Sequence, residues 1–118
     1  MKRAMIAAVA VGFVAAMGVA ARAAETVTVK GEVVDSYCYA LMGAKGESHR
    51  KCGLACAAKG IPLALLENGT GSLFVLLPDR DKSPLPKEVT DRMGRQATVT
   101  GKLATVGGSR FLTVESVK

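Results

Sequence analysis

Two hydrophobic patterns divide the chain. From Ala4 to Ala21 apolar residues run almost without a break. From Thr26 the pattern becomes an alternation. Thr26-Val27-Thr28-Val29-Lys30-Gly31-Glu32-Val33 puts Val27, Val29 and Val33 on one face, as a half-buried strand does. Gly31 inside it marks a bulge or a sharp bend. The stretch from Val34 continues the strand to an expected end at Cys38, with Tyr37 and Tyr39 on the face opposite Cys38.

Further elements follow from the same reading. Residues 41–47, with Gly43 and Gly46, read as a loop. Ser48 stands where an N-cap would for a helix over His49 to Lys59, and Gly60 and Pro62 stop it. Pro62 to Glu67 and Ser72 to Leu77 read as strands joined by the turn Asn68-Gly69-Thr70-Gly71. Residues 78–86 form a polar loop, and Leu85 to Met93 has room for one or two helical turns ending at Gly94. Gln96 to Leu103 alternates again, Val106-Gly107-Gly108-Ser109 is a tight turn, and Arg110 to Val117 is the last strand.

Five short strands with bent, glycine-containing first and fourth members predict a mainly β domain, a small Greek-key barrel of the OB type. Its helix would follow the first strand, not the third as OB order usually has it. A small open β-sandwich is the competing architecture.

The N-terminal apolar run has a cationic start, Met1-Lys2-Arg3, and ends in Ala21-Arg22-Ala23, which fits the small-x-small rule of signal peptidase. Residues 1–23 therefore read as a signal peptide, cut after Ala23 or Ala24, leaving residues 24–118 as one small periplasmic or secreted domain. The run is just long enough to span a bilayer, but its Ala and Gly content makes it weakly hydrophobic, against a retained membrane anchor. No cysteine lies near the cut to accept a lipid.

Cleavage alters the charge balance. The chain has 16 Lys and Arg against 10 Asp and Glu, a net of +6. Losing Lys2, Arg3 and Arg22 takes the bases to 13 and the net to +3. The basicity belongs largely to targeting and gives no case for a nucleic-acid partner. With no Trp, the core must be built from Val, Leu, Ile and Ala, and so small a core gains from a metal or disulfide staple.

All three cysteines and the only histidine fall between residues 38 and 56. On a helix from residue 49, His49, Cys52 and Cys56 stand at i, i+3 and i+7, within roughly 60° of one another. The loop after Cys38 is long enough to bring its thiol to that face. Cys38, His49, Cys52 and Cys56 are thus a candidate Cys3His metal set. Asp35 is the candidate carboxylate to orient the His49 imidazole.

Two plainer readings compete. The same stripe describes a core-facing helix, and cysteine is often buried. An exported chain with cysteines also commonly forms a disulfide, here Cys38 with Cys52 or Cys56, leaving one thiol over. A Cys52–Cys56 bond would strain one helical turn.

Zinc suits a closed structural site, and copper suits soft thiolates in an exported protein. An iron–sulfur cluster fits less well, because such clusters are assembled in the cytoplasm. Covalent haem has no C-x-x-C-H to hold it. No Ser–His–Asp spacing, paired-carboxylate motif or phosphate loop is present, and one histidine offers little acid–base chemistry.

The residues Gly31, Val33, Asp35, Cys38, His49, Cys52, Cys56, Gly60 and Pro62 form the pattern G-x-V-x-D-x-x-C then H-x-x-C-x-x-x-C-x-x-x-G-x-P. It resembles a group of small, exported, largely uncharacterised bacterial proteins with an OB-like C-terminal part, over about a third of the chain. The resemblance implies compartment and motif but no activity.

The sequence therefore predicts a periplasmic, non-catalytic metal-binding domain, structural or engaged in metal handling or electron transfer. The alternatives are a disulfide-stapled module that binds a periplasmic protein, and a thiol redox protein. C-x-x-x-C spacing in place of C-x-x-C counts against the last.

Overall fold

The computed structural model describes residues 24–118. The expected signal peptide, residues 1–23, lies outside the described residues. The chain forms strand β1 (Glu25–Asp35), helix α1 (Ser36–Met42), a 3-10 turn (Glu47–His49), helix α2 (Arg50–Ala58), strands β2 (Leu63–Glu67) and β3 (Leu73–Pro78), helix α3 (Lys87–Asp91), and strands β4 (Gln96–Val106), β5 (Ser109–Val114) and β6 (Ser116–Val117).

Five strands close a barrel. β1 is long enough to serve two neighbours: Glu25–Glu32 pairs antiparallel with β4, and Gly31–Asp35 pairs antiparallel with β2. β2 pairs with β3, β3 runs parallel to β5, and β5 returns to β4. β6 adds to β4 outside this circuit. The OB-like barrel expected from the sequence is what forms.

Gly31 sits where β1 passes from one partner to the other, opposite both Glu67 and Ala97. A side chain there would collide with the Leu66 carbonyl, so the crossing of three strands needs glycine.

The alternation in β1 and β4 does what period two demands. Val29, Val33, Ala97 and Val99 point into the barrel with Leu65, Phe74, Leu76, Leu112 and Val114. Val89 and Met93 plug the core from α3 and the turn after it, and neither is exposed. β2 is buried on both faces, because Val34, Ala64 and Leu66 pack on the outside beneath Tyr39 and Leu73.

Two expectations are corrected. The first strand stops at Asp35, and Cys38 belongs to helix α1. Tyr37 and Tyr39 therefore do not alternate with it along a strand. Tyr37 is exposed, and Tyr39 covers the Val34 cluster. The last strand also breaks at Glu115, whose amide turns to the Thr100 carbonyl, dividing β5 from β6.

Candidate metal centre

The site begins with the end of β1. Asp35 keeps extended backbone, and its Oδ1 accepts the Cys38 amide at 2.9 Å. This is N-capping, and it starts α1 and fixes where Cys38 points. Gly43 closes the helix in the left-handed region (φ 65°), with its amide on the Tyr39 carbonyl at 2.8 Å and the Ala44 amide on that of Cys38 at 3.3 Å.

The connection to α2 is fastened to the barrel at three points. Glu32 Oε2 accepts the Gly46 amide at 2.7 Å. Glu47 pairs with Arg95 through two contacts of 2.9 Å. Arg50 Nη1 donates to the Met93 carbonyl at 2.7 Å and to the Asp91 carbonyl at 3.0 Å. Helix α2 then begins at Arg50. Ser48, the expected cap, lies within the 3-10 turn, and His49 occupies the capping position without a side-chain cap bond. Gly53 lets α2 approach the core: a Cβ there would stand 2.6 Å from Met93 Sδ.

These attachments gather the chemistry. Cys52 and Cys56 are one turn apart on α2, and Cys38 faces them from α1. The three sulfurs lie within 4.8 Å of one another, close enough to hold a metal ion. Cys38 and Cys56 are 4.0 Å apart, and all three are free thiols. Their exposure is graded: Cys38 is buried, Cys56 half-buried and Cys52 exposed.

His49 joins a second group. Its Nε2 lies 2.7 Å from Asp35 Oδ2, and Asp35, Cys38 and His49 also stand within 4.8 Å of one another. Cys38 is common to both groups, whereas His49 stands with Asp35 rather than with the other two thiols. The carboxylate expected to orient the imidazole is therefore in contact with it. Asp35 is the one fully buried charged side chain among the described residues.

Burial pushes the Cys38 thiol up to about 12, and the adjoining Asp35 and Cys56 add to the rise. Cys56 is raised too, first by burial and then by the charges of Asp35 and Cys52, against an opposing hydrogen bond from Cys38. Burial alone would raise Asp35. The Cys38 amide, His49 and the Cys38 thiol together outweigh it and hold the carboxyl below its ordinary value.

Sequence reasoning found every member of the two groups but missed how Cys38 is delivered. The signal was Asp35 three residues before Cys38, with Gly43 beyond, the two ends of a short helix. It also missed Glu32, Arg50 and Arg95 as the anchors of the connection. Comparison with family models, curated proteins and solved structures gave no match.

Proposed function

We propose that this is an exported metal-binding protein whose ligands are the thiolates of Cys38, Cys52 and Cys56, with the Asp35–His49 pair bracing the helix that carries Cys38. The observation that carries the reading is the convergence of three sulfurs within 4.8 Å. A tetrahedral ion with sulfur bonds of 2.3 Å sets its sulfurs about 3.8 Å apart, and Cys38 and Cys56 already stand at 4.0 Å. The raised thiols of Cys38 and Cys56 are the reverse of the low-pKa nucleophile that a thiol redox enzyme needs. A bound cation would offset the cost of ionising them.

The test is metal content beside thiol count on the purified reduced protein. About one soft metal ion per chain is expected, lost in Cys38→Ser. Three free thiols and no bound metal after loading would rule the reading out.

One observation favours a second reading under oxidising conditions. The Cys38 and Cys56 sulfurs need to close by only about 2 Å to bond. That bond would staple α1 to α2 and leave Cys52 free. Protein isolated without reductant would then show one reactive thiol, at Cys52, and a mass lower by two hydrogens.

A further inference from the structure

The number of ligands at the site narrows which ion it suits. Three sulfurs converge, and neither Asp35 nor His49 stands with all three of them. Asp35 uses Oδ1 on the Cys38 amide and Oδ2 on His49. The contact with Asp35 takes only Nε2 of His49, but the imidazole is grouped with Asp35 and Cys38, away from the three-sulfur set. Both stand on the Cys38 side of the cluster, in a group that excludes Cys52 and Cys56.

Zinc closes a structural site with four ligands, and a three-sulfur set leaves it incomplete. Soft thiolates also select monovalent copper, a closed-shell ion that three thiolates satisfy in a plane. In that arrangement bonds of about 2.3 Å spread the sulfurs to about 4.0 Å, the separation Cys38 and Cys56 already have. Exposed Cys52, with Lys51 beside it, makes one edge of the triangle reachable from solvent.

We infer that the ion is monovalent copper, held by the thiolates of Cys38, Cys52 and Cys56 alone. This rests on the metal-binding reading above. Loading is ligand exchange: Cu(I) gives up the ligands that carried it, which return to solvent, and forms three bonds to sulfur. Three thiol protons leave to solvent, and no electron moves. Delivery to an acceptor thiol would reverse one bond at a time, beginning at Cys52. The acceptor sulfur loses its proton as it bonds to copper, and the Cys52 sulfur regains one as its bond breaks.

The experiment loads the purified full chain, reduced and anaerobic, with Cu(I) in the presence of a chromogenic Cu(I) chelator. Zinc is loaded in parallel against a chromogenic zinc chelator. The expected result is one Cu(I) per chain kept from its chelator, zinc surrendered to its own, and X-ray absorption showing sulfur scatterers only. His49→Gln, which still offers Asp35 a hydrogen-bond donor, keeps the same copper stoichiometry. Zinc retained against its chelator, a nitrogen ligand in the copper spectrum, or copper lost in His49→Gln would each overturn the inference while leaving metal binding in place. Surrender of both metals would defeat the metal reading itself.

Discussion

Asp35 and His49 meet through a 2.7 Å contact between Oδ2 and Nε2, and the Asp35 carboxylate has no solvent around it. The other oxygen caps α1. One side chain thus ends a strand, starts a helix and holds the imidazole 14 positions away. Asp35→Ala removes the cap and leaves His49 without its partner, at a cost of about 2–4 kcal/mol. Urea unfolding monitored by circular dichroism measures it.

The same carboxylate sets a direction for acid sensitivity in the metal-free protein. Its pKa in the fold lies below the ordinary value of 3.8. As pH falls, the unfolded chain takes up the proton first, so protonation favours unfolding. The stabilisation is complete above that ordinary value and is lost as pH drops through the lower folded value. Acid titration of Asp35→Asn should show a shallower loss of stability below pH 4 or so than the parent shows. An equally steep loss would place the acid sensitivity elsewhere.

Gly53 is where α2 comes closest to the core. An alanine would force its Cβ onto the Met93 side chain, which is fully buried and must repack within the core to make room. Overpacking costs about 1–3 kcal/mol, and the better helix propensity of alanine returns up to about 1. Gly53→Ala should therefore lower the melting temperature. Adding Met93→Ala should recover part of the Gly53→Ala penalty in a double-mutant cycle.

Cys52 separates binding from folding. Its side chain is exposed, so Cys52→Ser should leave the melting temperature of the metal-free protein within about a degree or two. Metal added to the parent should raise the melting temperature, because it binds the folded state. The rise should shrink strongly in Cys52→Ser, and differential scanning fluorimetry with and without metal reads both effects.

The barrel was legible because alternation in residues 26–33 and 96–103, with glycines at the bends, reports burial directly. The site was legible as a set of residues, because clustering and i, i+4 spacing survive any small error in helix bounds. Its geometry was less so. The β-like run from Val34 to Tyr39 hid α1, because Tyr, Cys and Val favour strands and only the Asp35 cap breaks the pattern. Cys38 was placed near the other thiols for the right reason, a return of the chain, but on the wrong element. The split of His49 from Cys52 and Cys56 had no local signal. The connection that carries it is fixed by Glu32, Arg50 and Arg95, contacts between distant parts of the chain that spacing cannot show.

The Arg50 clamp bears on the order of assembly. The guanidinium grips a carbonyl 43 residues further on, and Glu47 waits for a partner 48 residues further on. Cys38, Cys52 and Cys56 are thus all synthesised well before the groups that hold their surroundings in place. The surroundings of the thiol cluster are therefore closed by contacts that span nearly half of the described chain. A change in the segment around Met93 and Arg95 reaches the thiols without touching a sulfur.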